Sequence, residues 1–268
     1  MNPSDGAVAG VYNAPVWNSM ENNLDTRINK YIASCGICSR RDADKLIEAG
    51  RVVVNGVKAT SGMKVSGEEE IIVDGKVVSG PDRKAYLAFY KPVGVTVSEK
   101  DAHAEKLIGE LIDYPIRVTY AGRLDKDSEG LILLTNDGDL IEKMMRGANA
   151  HEKEYIVRID KKVSEDLINR FEEGIYLKDL EQTTRPAKAE KLSDYTFKVI
   201  LTQGLNRQIR RMCKACGAEV RSLKRVRVVN ILLGDLKPGK WRELTKEELS
   251  ELFSRLNNKL KHDIRGGI

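Results

Sequence analysis

The chain has 268 residues, a net charge of +5 and 41% hydrophobic residues, which suits one large domain or a medium domain with a small one attached. No apolar stretch approaches the roughly 20 residues that a membrane-spanning helix needs, and the N-terminus lacks the basic region and apolar core of a secretory signal. We therefore expect a cytoplasmic protein with no membrane partner, and a monomer as the default.

Composition predicts two terminal segments without regular structure. Residues 1–23 are rich in Asn, Ser, Gly, Ala and Pro and show no periodicity, which predicts a disordered leader. Residues 257–268 are basic and Gly-ended, and we expect a frayed basic tail there. The string SGPDRK at 79–84 has the composition of a linker.

Residues 24–80 predict a small module of two helices and short strands. Helical spacing of apolar residues indicates a first helix up to Cys35, and Ser39 followed by Asp42 predicts the cap of a second. The pairs Asn55-Gly56 and Asp74-Gly75 predict two hairpins. A module of this size has a marginal core and suits a binding appendage.

Residues 85–256 mix strands and helices without regular alternation, which favours an α+β domain with a mixed, mostly antiparallel sheet over a doubly wound fold. Strands are predicted at AYLAFYKP, RVTYAG, LILLT, EYIVRI and YTFKVIL, and helices at 139–146, 164–173, 207–216 and 246–256.

The string GRLDKDSEGLILLTNDG, Gly122 to Gly138, places an Asp beside an Arg in a polar loop that leads into an apolar strand. Leu131 to Thr135 is short, continuous and bounded by turn residues, as expected of a fully buried strand, although periodicity alone also fits a buried helix. Asp125 is thus held by stiff apolar neighbours. A solvated turn residue is the alternative for an Asp in such a loop.

Basic residues are concentrated between Leu205 and Asn230, with a single acid, Glu219. The eight are Arg207, Arg210, Arg211, Lys214, Arg221, Lys224, Arg225 and Arg227. Apolar residues alternate with them, so the block belongs to folded elements. Either it is a solvated face or it binds a polyanion, and the alternation favours the second.

The four cysteines form two C-x-x-C pairs, at Cys35 and Cys38 and at Cys213 and Cys216, a pattern that occurs in tetrahedral zinc sites. More than 170 residues separate the pairs, whereas zinc fingers keep them within a few tens. We therefore expect small buried side chains and no metal, and no disulfide in a cytoplasmic chain.

Five motifs together resemble one enzyme family over about residues 24–256. They are TRINKYIASCGICSRRDADKLIEAGRVVVNG, YKPVGV, GRLDKDSEGLILLTNDG, HEKEY at His151 to Tyr155, and QGLNRQIRRM at Gln203 to Met212. The chain is similar to pseudouridine synthases of the RsuA/RluB/RluE/RluF family, in which an S4-type RNA-binding domain precedes the catalytic domain. The wording of the last two motifs is most similar to the RluF branch, which acts on 23S ribosomal RNA.

The resemblance implies that Asp125 is the essential carboxylate, acting as nucleophile or base, and that no cofactor is needed. The sequence contains no GxGxxG, P-loop or HExxH motif and only three His, so no plausible Ser-His-Asp set. An ionised Asp in a water-poor cleft needs a positive partner. By family analogy Arg210 is the first candidate for that partner, and Arg207 the second.

Further roles follow from the same resemblance. Tyr155 would stack on the flipped uracil and is a candidate for proton transfer at C5. Arg123 would fill the gap that the flipped nucleotide leaves. Candidate phosphate contacts are Arg207 and Arg211 in the basic helix, together with Arg27, Lys30, Arg40, Arg41 and Lys45 in the S4-like module.

The sequence thus predicts an isomerase of the intramolecular transferase class that converts a uridine of 23S ribosomal RNA to pseudouridine. The same chemistry on 16S ribosomal RNA or a tRNA anticodon loop is the nearest alternative. A non-catalytic S4-type assembly factor and a zinc-dependent nucleic-acid binder are rivals from other classes; Asp125, Tyr155 and Arg210 together disfavour the first.

Overall fold

The computed structural model describes residues 26–81, 83–145 and 151–263, so the predicted leader lies outside the described residues. The chain divides into two compact units, Met1–Pro81 and Asp82–Ile268. Among the described residues, no helix combines the length and the apolar character needed to cross a bilayer.

The first unit has the predicted two helices and short strands. They are β1 (Thr26–Arg27), α1 (Ile28–Ser34), α2 (Arg40–Glu48), β2 (Val52–Val54), β3 (Val57–Lys58), β4 (Lys64–Val65), β5 (Ile71–Val73) and β6 (Lys76–Val77). The Ser39 hydroxyl accepts a hydrogen bond from the Asp42 backbone N–H at 3.2 Å, which confirms the predicted cap. Both predicted hairpin turns are present, and Asn55 and Asp74 have φ of 47° and 53° there.

The first unit's sheet has the order β3-β2-β5-β6. Its buried valines and isoleucines pack against apolar residues of the two helices, among them Ile32 and Ile47. This small core holds the helices in place and leaves their polar faces in solvent.

The second unit contains eleven strands and four helices within the described residues. Before the basic block these are β7 (Tyr86–Lys91), β8 (Thr119–Tyr120), β9 (Glu129–Thr135), α3 (Gly138–Met145), β10 (Lys153–Ile159), α4 (Glu165–Glu173), β11 (Tyr176–Leu177), β12 (Gln182–Thr183), β13 (Lys188–Ser193) and β14 (Thr196–Leu201). They are followed by α5 (Gln208–Ala215), β15 (Val220–Val228), β16 (Ile231–Leu232), β17 (Trp241–Glu243) and α6 (Lys246–Asp263).

The main sheet has the order β13-β14-β10-β15-β9-β7-β17, with β8 added to β9 and β16 to β15. Strands β9 and β15 pair in parallel, and every other pairing described in this sheet is antiparallel. The predicted mixed, mostly antiparallel α+β sheet is confirmed.

Strand β9 is the buried strand that the apolar run predicted. Leu131 and Leu133 pack in one apolar cluster, together with residues of α3 and α6, while Ile132 and Leu134 pack in another. Successive side chains of a strand point to opposite faces, so both faces of β9 are covered. The loop that precedes β9 is therefore attached to a rigid support.

Several elements differ from the sequence prediction. Strands β11, β12, β13, β16 and β17 were not predicted, and two further differences have a clear cause. Strand β15 was not predicted, because its nine residues include four Lys or Arg and read only as part of the basic block. Helix α6 was expected to end at Leu256, yet it continues to Asp263. Residues 257–263 contain no Gly or Pro, and adding residues to a formed helix is favourable, so the first part of the predicted frayed tail is helical.

Candidate active site

Asp125 lies in the loop between β8 and β9, with its side chain about one third exposed, at 34%. Leu124 beside it is buried in the cluster formed by α4, α5 and the outer strands. The Ser128 N–H donates to the Asp125 carbonyl at 3.1 Å, and the Gly94 N–H donates to the Lys126 carbonyl at 2.8 Å. The loop is therefore fixed on both sides of Asp125, while the carboxylate itself reaches solvent.

The arginine next to Asp125 is Arg207. A guanidinium nitrogen of Arg207 lies 3.9 Å from the Asp125 carboxylate, and Arg207 also forms a bidentate pair with Asp127 at 3.0 and 2.7 Å. The expectation that Arg210 is this partner is wrong in the structure. Arg207 is the cap residue before α5 with φ of +50°, so its side chain leaves the helix end and reaches the loop.

Arg210 is one turn further along α5 and binds the loop from within. Its guanidinium donates to the Asp127 carbonyl at 2.8 Å and to the Ser128 hydroxyl at 3.3 Å, and it lies 3.3 Å from the Asp127 carboxylate. Burial raises the pKa of Asp127, but the hydrogen bond from Arg207 and the charge of Arg210 outweigh it and lower that pKa below its usual 3.8. Asp127 is thus ionised and connects α5 to the loop.

Lys91 is a fully buried cation beneath the same loop. Its Nζ donates to the carbonyls of Pro92 and Val95 at 2.9 Å each and to that of Lys126 at 3.3 Å. Burial lowers the pKa of Lys91 to about 8, although the charges of Asp125 and Asp127 oppose the shift. All three donors of the ammonium have acceptors, which is the condition for burying such a group.

Tyr155 lies in β10 directly opposite Arg225 of β15, and the ring is buried. Two residues earlier on the same strand face, burial and the charge of Arg225 lower the pKa of Lys153 to about 8. His151 is buried, with its Nε2 atom 3.1 Å from the Lys143 carbonyl of α3. The HEKEY motif therefore contacts α3 through His151, and its Lys153 and Tyr155 lie near Arg225 in the sheet.

The proposed RNA contacts differ in their surroundings. Arg123 is exposed at the start of the loop. Arg211 is less available than expected, because its guanidinium bonds Asn206 and pairs with Asp179. In the first unit Arg27, Arg40, Arg41 and Lys45 are exposed, Lys30 is half-buried, and Lys45 also lies 3.6 Å from Asp42.

The four cysteines are not joined in disulfides in the structure. Burial raises the pKa of Cys213 to about 12 and also raises the pKa of Cys216, so both carry their protons at neutral pH. Thiolates are the form that binds zinc. Within the described part of the chain, no group of three or more His, Cys, Asp or Glu could hold a metal ion.

Sequence reasoning missed three residues of this site. Lys91 stood in the quoted YKPVGV string without a role, Asp127 was overlooked beside Asp125, and Arg225 was counted among possible polyanion contacts although only 3% of it is exposed. Neighbourhood in the loop motif could have indicated Asp127. Nothing in a basic strand reveals which arginine is buried.

Comparison with known proteins gives consistent results for both units. A family profile described as "RNA pseudouridylate synthase" matches residues 85–215, and an S4 domain profile matches residues 26–72. The chain is 42% identical over 234 residues to the "Dual-specificity RNA pseudouridine synthase RluF" of Escherichia coli, covering 87% of this chain and 80% of that protein.

Two further matches cover nearly the whole of the other protein. The "Ribosomal large subunit pseudouridine synthase B" of Bacillus subtilis is 38% identical and is covered to 95%, with 84% of this chain matched. A solved structure described as "Crystal structure of pseudouridylate synthase" superimposes with a TM-score of 0.63 at 31% identity, covering 84% of this chain and 99% of that one.

Proposed function

The chain belongs to the RNA pseudouridine synthase family and is an isomerase, and we propose that its substrate is a uridine of 23S ribosomal RNA. The observation that carries the proposal is Asp125, a half-buried carboxylate that reaches solvent from an anchored loop, with a guanidinium 3.9 Å away. The similarity to RluF of E. coli and to the large-subunit synthase of B. subtilis supports the choice of RNA. This substrate places the reaction in the cytoplasm.

In the proposed reaction Asp125 causes cleavage of the bond between N1 of uracil and C1′ of ribose. As a nucleophile it forms an ester at C1′, and C5 of the turned base displaces the carboxylate again. As a base it removes the proton on C2′ and returns it to C2′ after C5 has bonded to C1′. The detached base turns, C5 bonds to C1′, and the proton on C5 leaves while N1 gains one. Substrate and product are isomers, so atoms and electrons balance without a redox partner or cofactor.

Cations lie around the loop that carries Asp125. Arg207 lies 3.9 Å from the Asp125 carboxylate, and the charge of the buried Lys91 also interacts with that of Asp125. Opposite charges within contact distance favour the ionised form of a carboxyl group, which either chemical role requires. Tyr155 supplies a buried ring that would stack on the base and a hydroxyl that could move the C5 proton.

A uridine inside a helix or stack cannot reach this loop, so the proposal includes base flipping at a cost of a few kcal/mol. Arg123 is exposed two residues before Asp125 and would occupy the gap left in the RNA. Loops and bulges of RNA are the favoured targets, because their bases are already partly unstacked. The exposed arginines of the first unit would contact phosphates and orient the RNA.

A second substrate class remains part of the proposal because the E. coli relative carries "dual-specificity" in its name. We therefore keep 16S ribosomal RNA and a tRNA anticodon loop as the alternatives. Family membership disfavours both rivals, the non-catalytic assembly factor and the zinc-dependent nucleic-acid binder.

The test is pseudouridine mapping of all ribosomal and transfer RNA from cells that lack the gene, complemented with the wild type or with Asp125→Asn. The wild type should restore a 23S modification that the variant does not restore, while the RNA affinity of the purified variant stays within several-fold. Restoration by Asp125→Asn contradicts the assignment of Asp125. Restoration only in 16S or transfer RNA contradicts the 23S substrate.

A further inference from the structure

Arg225 is a buried arginine at the centre of the catalytic sheet to which the proposed function gives no role. Only 3% of the residue is exposed. It lies in β15, opposite Tyr155 of β10 on one side and Gly130 of β9 on the other. Residues directly opposite each other in adjacent strands share a face of the sheet, so Arg225 and Tyr155 lie on the same face.

The Arg225 guanidinium occupies a gap between two strand pairings. Its Nε donates to the Leu131 carbonyl at 2.6 Å, and one terminal nitrogen donates to the Arg123 carbonyl at 3.3 Å. The carbonyls of Leu131 and Leu133 point to the same edge of β9 because they are two residues apart, and that of Leu133 accepts the Ala121 N–H at 2.8 Å. Arg225 therefore donates to the next carbonyl along this edge of β9, beyond the one that accepts the Ala121 N–H.

The Arg123 carbonyl is the point where the loop leaves the sheet. The parallel pairing of β15 with β9 reaches Gly130, and the antiparallel pairing of β8 with β9 has its last pair at Tyr120 and Leu134. The backbone pairs described for the two ladders do not include Arg123, so the Arg225 side chain supplies a hydrogen bond at this end of the loop, beside the buried Leu124.

We propose that Arg225 is a positioning residue that holds the Arg123 carbonyl and thereby aims both the Arg123 side chain and Asp125. The inference rests on the proposed function of Asp125. A guanidinium suits this task because it carries several donors in one rigid plane. One group can therefore bond a carbonyl of the strand and a carbonyl of the loop together.

The surrounding charges agree with a functional reason for burying a cation here. Burial and the charge of Arg225 lower the pKa of Lys153, and Arg225 also acts to lower the pKa of Lys91. Apolar side chains often fill such a position at no loss of stability. Three neighbouring cations repel each other, and a carboxylate nearby, with the phosphates of bound RNA, offsets that repulsion.

The matched control is Arg227, two residues along the same strand. A β-bulge between the two pairings places Arg227 opposite Glu154, and hence on the other face of the sheet. Arg227 is also well covered, at 15% exposure of its side chain, and pairs with Glu152 and Glu154 at 3.1 and 3.0 Å. Its loss removes a buried guanidinium from β15 without touching the loop.

The experiment compares Arg225→Met, Arg225→Lys and Arg227→Met by single-turnover rate at saturating RNA, RNA dissociation constant and folded fraction. Misplacing a reacting group by about 1 Å lowers a rate on the order of 10²-fold. We expect that loss in Arg225→Met, with RNA affinity within threefold, and partial recovery in Arg225→Lys, whose ammonium lacks the planar fork. Arg227→Met should keep the rate within threefold.

A rate for Arg225→Met, per folded molecule, within threefold of the wild type overturns the inference and leaves the proposed function intact. If Arg225→Met does not fold, Arg225→Lys decides in the same way, with an expected loss of about tenfold. Hydrogen exchange over 122–128 gives a readout without activity. Exchange in this segment should accelerate in the Arg225 variants and not in Arg227→Met. Equal exchange overturns the inference even if the wild type modifies no RNA and the proposed function fails.

Discussion

Replacing Gly130 with alanine should strongly destabilise the catalytic unit, because β9 approaches β15 too closely there to admit a side chain. Gly130 pairs with Arg225 in the parallel ladder and has φ of +111°. A Cβ atom at this position would lie 2.2 Å from the Arg225 backbone oxygen. Non-bonded heavy atoms rest about 3.5 Å apart, so the two strands would have to separate by about 1 Å.

Two contributions set the magnitude for Gly130→Ala. The unfavourable φ costs about 1–3 kcal/mol, and forcing extra volume into a packed region costs about 1–3 kcal/mol. A loss of about 2–6 kcal/mol is a large share of the roughly 5–15 kcal/mol that holds a domain together. Urea unfolding followed by Trp241 fluorescence measures it, because Trp241 lies in β17 of the same sheet; a Trp17→Phe background removes the other tryptophan.

Two other glycines separate the contributions. Gly122 has φ of +106° but open space around it, so Gly122→Ala should show the backbone strain alone. Gly174 has φ of +93° and a Cβ there would lie 2.5 Å from the Thr184 backbone oxygen, away from the Asp125 loop. Gly174→Ala should lose stability as Gly130→Ala does but keep its single-turnover rate. Equal stability of Gly130→Ala and Gly122→Ala would refute the reasoning.

Three further predictions concern the charged groups. Arg207→Met should lower the single-turnover rate about 10²-fold with little change in unfolding free energy, whereas Arg210→Met should also lower that free energy; equal stability of the two variants contradicts this. Burial lowers the pKa of Lys91 from 10.5 to about 8, so the unfolded chain binds more protons between these values. The unfolding free energy of the wild type should therefore rise relative to that of Lys91→Met from pH 8 to pH 10.5, and a constant difference in urea titrations argues against it. Arg40→Ala combined with Arg41→Ala should reduce the salt slope of RNA binding by about 1.5 without changing the rate at saturating RNA; an unchanged slope removes both from the interface.

Local signals sufficed for much of the fold. The Ser39 cap and the two glycine turns of the first unit depend on residues that interact with their immediate neighbours in the sequence. The continuous apolar run of β9 is itself enough to predict a buried strand. The sheet class also followed, because strands without regular helical crossovers pair mostly antiparallel. Asp125 was located by its motif.

The residues that the sequence misassigned depend on contacts between distant segments. Arg207 and Arg210 are three positions apart in one basic helix, and only the left-handed backbone at Arg207 decides which of them reaches Asp125. Strand β15 lies between β9 and β10 because it pairs with residues 61 to 95 positions away in the sequence. The pattern of charges along the sequence does not show which strands pair. The sequence alone therefore does not distinguish the buried Arg225 from the exposed Arg221.

Three cations near the loop share one property that bears on the role proposed for Asp125. Lys91, Arg210 and Arg225 each donate to backbone carbonyls of the loop and not to the Asp125 carboxylate. Within the described residues, the structure shows no hydrogen bond to the Asp125 side chain, and Arg207 lies 3.9 Å from it.

This arrangement separates two effects that a direct salt bridge would combine. Positive charge nearby keeps a carboxylate ionised, whereas short charge-assisted hydrogen bonds to its oxygens would occupy the lone pairs that must attack carbon or accept a proton. Because these cations bond to the backbone, the loop holds Asp125 in position and leaves its oxygens without a hydrogen bond from the described residues. The role proposed for Asp125, as nucleophile or base, needs accessible oxygens in a fixed position, and for this reason the residues that anchor the loop matter to that role as much as Asp125 itself.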